Sequence, residues 1–466
     1  MVASCNSGSE IMEKRVEQLP RRTVRFVRGP LVHAPSRGVL EVLPDAFLAV
    51  SASSGRIEAF HAQTRPEDER LLSEIAGNDE VLVLGERQFL MPGFVDTHVH
   101  APQFQFMGTG TDTPLMQWLT KYTFPVEESF GDLAVAAEWY AKLLDRMLAE
   151  GITTAQYFAT IHLDATKLLA DLAEQRGQRA LVGLVSMDRN APATYVSPSA
   201  ADSLKDAETF VTYVLAKQSE LVRPVVTPRF VPTCSPELLQ GLGRLAAAYD
   251  VRIQSHIAES QDEEAFVEQL HPGRRDTQLF QAAGLLNERS CMAHAVHLTD
   301  GELDVFQSTG ASIAHCPLSN FYFADGLLDI PHVLDKGVAV GLGTDIAGGY
   351  SPSMLRAIQT SVLTTRALDI SRPSPTAAAT RQFDYKDALW LATLGGAQAL
   401  GLHHDTGSFA VGKSLDAIVV DAKRGGNVVL SARDSLADVV QKVVHTGDDR
   451  NFVRVIICGR VVHELA

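Results

Sequence analysis

The chain has 466 residues, 45% of them hydrophobic, and a formal net charge of −15. That is enough for a large core, and the acidic balance argues against non-specific binding to nucleic acid or to an anionic membrane surface. Its five cysteines (Cys5, Cys234, Cys291, Cys316 and Cys458) are scattered and form no C-x-x-C pair, so no disulfide framework is expected and a reducing cytoplasm is the natural compartment.

The first residues, Met1 to Cys5, run into charged sequence without an apolar stretch, so no secretory signal is expected. No run of about 18 apolar residues suggests a membrane span. From residue 24 to 90 the chain reads as short strands: 24–29, 46–50 and 81–84, with a turn at Gly55 and a polar loop over 64–70. From 407 to 466 the pattern is similar, with strands at 417–420 and 453–458 and turns at Gly412 and Gly459. Neither stretch carries enough apolar surface to fold alone. Joined, they make one small composite β-sandwich from both chain ends.

Between them, residues 91–406 alternate strand and helix patterns. The spacing predicts strands over 93–98, 153–158, 180–187, 225–230, 252–256, 290–294, 311–316 and 339–344. The clearest helices are 134–150 and 203–217, with Asp132 and Asp202 as N-caps and Gly151 and Gly177 as C-caps. Eight strands alternating with helices predict an α/β fold, a (β/α)8 barrel. A doubly wound open sheet is the alternative, but no G-x-G-x-x-G follows a strand. In a barrel the reacting groups collect at the C-terminal strand ends. His98, His256, His294 and Asp345 fall at the ends of predicted strands one, five, six and eight.

His98 and His100 alternate on one strand, so both face the same way. Alone, such a pair also fits two partly exposed histidines. Combined with His256 and Asp345 it offers three neutral nitrogens and one carboxylate, a set that suits zinc. Zinc lowers the pKa of bound water from about 16 to about 7. Glu259, three residues past His256, is placed to carry a proton from water to a leaving group, and His294 to hold that water. Asp345 can bind metal and also accept a proton. Taken singly, Glu259 also reads as a solvated first-turn carboxylate, Asp345 as a turn cap and His294 as a core histidine. Their joint placement at strand ends favours a site. His162, His271, His297, His315, His332, His403 and His404 are assigned to structure, and Cys316 lacks a second thiol to make a metal site with.

Met91-Pro92-Gly93 followed by D-T-H-x-H, a strand-five H-x-x-E, a strand-six histidine and a strand-eight T-D resemble the amidohydrolase superfamily. Further stretches resemble its guanine deaminase branch: His100 to Gln103, Trp118 to Pro125, Thr227 to Phe230, His315 to Asn320 and Gly343 to Gly349. The likeness runs over roughly residues 24 to 460. It implies a distorted (β/α)8 barrel with a flanking β-sandwich, and hydrolysis of guanine to xanthine and ammonia in purine salvage or catabolism. It implies one zinc per chain held by His98, His100, His256 and Asp345, with Glu259 as proton shuttle and His294 and Asp345 as further catalytic groups. Gln103, Arg229 and the Phe230 backbone would recognise the purine, with His256 and Glu259 also facing it. A guanidinium can read the O6 and N7 acceptors of guanine as a fork. Arg229 also fits a structural ion pair at the barrel rim, and Gln103 an exposed loop. No lysine signature follows strand four, where Cys234-Ser235 stands, so one metal is expected rather than two. A homodimer is implied as well.

The alternatives are a deaminase or chlorohydrolase of the same superfamily acting on another purine, a pyrimidine or a triazine, and a non-catalytic scaffold on the same barrel. Leu318 and Phe321-Tyr322-Phe323 depart from the family pattern and are expected to pack under the strand-seven loop. Residues 1–23 have no counterpart in the resemblance and are expected to be disordered.

Overall fold

The first and last described strands meet in one sheet. The structure, a computed structural model, describes residues 22–75, 80–371 and 383–465. Strands β1 (Phe26–Ser36), β2 (Val39–Val50), β3 (Ile57–His61), β4 (Val81–Val83) and β5 (Gln88–Pro92) come first. The barrel strands follow as β6 (Phe94–His100), β7 (Ile152–Phe158), β8 (Arg179–Gly183), β9 (Val185–Ser186), β10 (Val222–Pro228), β11 (Arg252–Ile257), β12 (Ser290–His294), β13 (Ser312–His315) and β14 (Ala339–Leu342). The chain ends on β15 (Ala417–Asp421), β16 (Phe452–Ile457) and β17 (Arg460–Glu464).

The outer sheet runs β17-β16-β15-β5-β1-β2-β3, with β4 beside β1. Pairing of β15 with β5 joins the two chain ends, from Ala417 opposite Pro92 to Asp421 opposite Gln88. Bridges Arg56–Ser414 and Thr23–Arg460 bring the outer strands round, and Val27, Leu31, Leu48, Ile57, Leu90, Leu415 and Ile456 pack into a core of their own. Arg22 and Thr23 belong to this sheet, because the Val461 N–H donates to the Arg22 carbonyl. The rest of the expected N-terminal disorder lies outside the described residues.

The barrel sheet is parallel in the order β6-β7-β8-β10-β11-β12-β13-β14, with β9 against the end of β10. Asp345 N–H donates to the His98 carbonyl at 2.9 Å and Thr97 Oγ1 to the Leu342 carbonyl at 2.9 Å, which brings the last strand back to the first. The predicted third strand is split in two at Leu184. A Cβ on Gly183 would meet Thr227 Oγ1 at 1.9 Å, so the backbone passes very close to its neighbour at the break.

Asp132 caps the helix Leu133–Ala149 by accepting from the Ala134 N–H. Gly177 ends the helix Leu163–Arg176 in the left-handed region. The cap of the next helix, Ala200–Ala216, is Ser199 rather than Asp202. Ser199 has extended backbone and its hydroxyl accepts from the Asp202 N–H, so Asp202 lies one turn in, where its carboxylate still favours a helix start. Leu318 and Phe323 are buried, but Phe321 and Tyr322 are exposed, so the expected packing covers only part of that stretch. On the helix Pro317–Phe323, Asn320 and Phe323 share the inward face, and the two residues between them turn outward.

Candidate active site

The C-terminal ends of β6, β10, β11 and β12, together with the loop after β14, converge on one pocket. Several of these ends carry unusual backbone: Ala258, His294 and Asp345 have φ of +45°, +72° and +48°. Non-glycine residues in the left-handed region are uncommon and gather at functional sites.

Four imidazoles stand together there. Ring centroids lie 4.9 Å apart for His98–His100 and for His98–His256, and 5.5 Å apart for His256–His294. His256 Nδ1 contacts the Arg229 carbonyl at 2.6 Å. A carbonyl can only accept, so the proton is on Nδ1 and Nε2 carries a lone pair. That Nε2 faces His100 Nε2 at 2.9 Å, and Asp345 Oδ1 lies 3.2 Å from His98 Nε2 and 3.7 Å from His100 Nε2. His98 Nε2 and His100 Nδ1 are buried without a hydrogen-bond partner. Burial, reinforced by the neighbouring imidazoles, holds His98, His100 and His256 well below the usual histidine range.

Neutral nitrogens facing one another beside a carboxylate are what a cation needs. His98, His100 and His256 offer ligand atoms within 4.8 Å of one another, and so do His98, His294, Cys316 and Asp345. The residues present therefore fit a metal ion. Cys316 belongs to this cluster although the sequence offered no second thiol. Its thiol is buried, and burial first, then Asp345 and Asp96, push it well up.

Glu259 Oε1 lies 3.5 Å from His294 Nε2, and Asp345 Oδ2 lies 3.8 Å from the same nitrogen. His294 Nδ1 donates to Asn320 Oδ1 at 3.1 Å, which leaves Nε2 as the acceptor toward the pocket. Burial, then Asp345 and Asp262, raise the Glu259 carboxyl well above the usual range, which suits a group that must take and release a proton.

Arg229, Gln103 and Phe230 line the same pocket, so the structure places all the sequence-derived candidates but His98 on its wall, with His98 directly behind. Arg229 is also in the ion pair weighed from sequence. Its NH1 donates to Glu127 Oε2 at 2.5 Å and its NH2 to Oε1 at 3.2 Å, both partners being buried. Gln103 is buried as well, its Nε2 donating to Glu127 Oε1 at 2.8 Å and its Oε1 accepting from the Ala347 N–H at 3.1 Å. Leu115, Trp118, Leu119 and Phe323 close the apolar side, and Trp118 and Phe323 touch with ring centroids 4.8 Å apart.

Sequence reasoning passed over Glu127, Asn320 and Asp96. Asp96, inside the D-T-H-x-H run, accepts from Thr344 Oγ1 at 2.6 Å and from the Thr344 and His98 N–H groups at 3.0 and 3.2 Å. It thus ties the first strand to the last beside the histidine and carboxylate cluster. Burial outweighs these bonds and pushes its carboxyl up to about 7.

Residues 89–462 match the amidohydrolase family. The chain belongs to that family. It is 42% identical to the guanine deaminase of Homo sapiens over 442 residues, 93% of this chain and 96% of the relative. A guanine deaminase from C. acetobutylicum, solved with guanine in its active site, superposes with a TM-score of 0.85 at 29% identity, covering 94% of this chain and all of that one (100%). A zinc-bound adenosine deaminase from Xanthomonas campestris superposes with a TM-score of 0.79 at 25% identity, covering 95% of this chain and 93% of that one. Among the described residues no helix is long and apolar enough to cross a membrane.

Proposed function

We propose that the chain hydrolyses guanine to xanthine and ammonia, a step of purine salvage or catabolism. One observation carries the reading: a single pocket is lined both by the histidine and carboxylate cluster and by Gln103, Arg229 and Phe230, the set suited to an oxopurine edge. The relatives with that activity match the chain nearly end to end.

His98, His100, His256 and Asp345 would hold one zinc ion, which when bound supplies Lewis acidity and makes water a nucleophile at neutral pH. The chain's own residues do the rest. Arg229 and Gln103 donate to the base, and the Phe230 backbone bounds its edge, so that C2 is presented to the attacking water. Glu259 takes one proton of that water on its carboxylate and delivers it to N3 of the ring, and the proton left on the added hydroxyl then passes through Glu259 to the exocyclic nitrogen. His294, its Nδ1 proton held by Asn320, keeps Nε2 turned toward the water. Asp345 accepts a second hydrogen bond from it. As the C2–N bond breaks, ammonia leaves and xanthine remains. Trp118, Leu119 and Phe323 keep bulk water out.

In the same reading, residues 24–90 and 407–466 form one unit and 91–406 the catalytic barrel, and the enzyme is a cytoplasmic homodimer. The scattered cysteines support that compartment, and a two-fold pair is the commonest soluble assembly. Elemental analysis together with ammonia release on a panel of purines, pyrimidines and triazines tests the activity. Guanine should be the preferred substrate, and release from another ring with no release from guanine would overturn the assignment.

A further inference from the structure

Glu127 lies behind the groups that would meet the base. It sits on the short helix Phe124–Ser129 and has no exposure to solvent. Its two oxygens take four hydrogen bonds: Oε2 from Arg229 NH1 at 2.5 Å and Tyr195 Oη at 2.9 Å, and Oε1 from Arg229 NH2 at 3.2 Å and Gln103 Nε2 at 2.8 Å. The carboxylate therefore grips both side chains assigned to reading the base, and pairs with the only one of the two that is charged.

Two consequences follow from donor counting. A guanidinium has five N–H donors, and two of Arg229's are spent on Glu127, so three remain in a fixed plane. The Gln103 amide has one N–H on Glu127 and its oxygen on Ala347, so its orientation is settled and one N–H is free. The buried pair also carries no net charge. An unpaired buried guanidinium would attract an anion strongly, because solvent does not screen it.

We propose that Glu127 is a positioning residue that aligns Arg229 and Gln103 as one unit and cancels the Arg229 charge, so that the pocket takes a neutral oxopurine and discriminates against an anionic one. The inference rests on the functional reading above. It bears on turnover, because replacing the C2 amine by a carbonyl creates an imide whose N–H is more acidic than the lactam of guanine. The product is the species with the greater tendency to become an anion. A cationic pocket would retain it, and a neutralised pocket lets it go. Glu259 and Asp345 also face the pocket, and both feel the Arg229 charge.

The test compares wild type with Glu127→Gln, which removes the charge, and Glu127→Asp, which keeps the charge but withdraws it by one methylene. Calorimetry measures binding of xanthine at two pH values, one on either side of its imide ionisation, with hypoxanthine as the neutral control. Circular dichroism and zinc content report folding, and steady-state kinetics report guanine turnover. Both variants should lose guanine kcat/KM by about tenfold or more, the scale of one charge-assisted hydrogen bond. Only Glu127→Gln should gain affinity for ionised xanthine relative to hypoxanthine, again by about tenfold, while Glu127→Asp keeps the wild-type ratio. An unchanged xanthine-to-hypoxanthine ratio in Glu127→Gln would overturn the proposal, as would failure of both variants to fold, which would assign Glu127 to stability alone. Because binding needs no turnover, a wild type that releases no ammonia from guanine overturns the functional reading separately.

Discussion

Arg229→Ala removes two things at once. Toward substrate it would delete the planar donors proposed to meet O6 of guanine, a loss of about 2–4 kcal/mol in kcat/KM for a charge-assisted pair and the acceptor left unmet. That is roughly 30- to 800-fold. Toward the fold it leaves Glu127 buried with only Gln103 Nε2 and Tyr195 Oη as donors. Breaking a buried ion pair from one side costs about 3–5 kcal/mol of stability. The double variant Arg229→Ala/Glu127→Gln removes the stranded charge and should recover most of that stability while recovering no activity. Arg229→Lys should recover part of each, since an ammonium keeps the charge but not the fork. The assay is thermal unfolding beside steady-state kinetics on guanine and adenine. Adenine should be turned over near background, because a site that hydrogen-bonds a polar group rejects an analogue lacking it by roughly 10⁴ or more. An Arg229→Ala protein unchanged on guanine, a wild type equally efficient on adenine, or a double variant no more stable than the single would each refute the reasoning.

Glu259→Gln keeps volume and loses the proton carrier, so kcat should fall by at least roughly 10²-fold with zinc content unchanged; turnover like wild type would remove Glu259 from the mechanism. Protein purified without added metal should carry about one zinc per chain, and chelation should abolish ammonia release while the circular dichroism spectrum of the barrel persists; elemental analysis finding two metals per chain would end the mononuclear reading. Arg179→Ala breaks the buried contact in which Arg179 lies 3.0 Å from Asp416 Oδ2, at the base of the barrel against the outer sheet. It should cost about 3–5 kcal/mol of stability with little change in kcat, and equal damage to both would show that the junction reaches the site. Light scattering should report a dimer at micromolar concentration; a monomer would remove that part of the proposal and leave the chemistry intact.

What could be read from the sequence was whatever a local pattern encodes. The run 290–294 is apolar, ends in a histidine and forms β12 over those same residues. The H-x-H pair shares a face because alternation is a property of any strand. Part of what escaped depended on distant partners. Glu127 and Arg229 are 102 residues apart, and no spacing rule connects them. At the break between β8 and β9, Thr227 lies too close to Gly183 for any side chain there, a contact made only on folding. Ser199 and Asp202 both have cap chemistry three residues apart, and the extended backbone at Ser199 decided between them. Phe321 and Tyr322 are large and apolar, which argued for burial, but their place between two inward-facing residues turns them to solvent.

Arg229 joins the two halves of the site in a way that separates them experimentally. Its side chain faces the pocket and Glu127, while its carbonyl accepts the Nδ1 proton of His256 at 2.6 Å. The first contact would read the base, and the second fixes which nitrogen of His256, a proposed metal ligand, carries the lone pair. A substitution at 229 that keeps the backbone N–H on the Ser186 carbonyl leaves the 229 carbonyl facing His256, so recognition can be removed while the tautomer of His256 stands. The expected outcome is therefore a variant that loses guanine turnover but keeps its zinc. Loss of zinc from Arg229→Ala would mean instead that the buried charge balance, rather than the carbonyl, holds His256 in place.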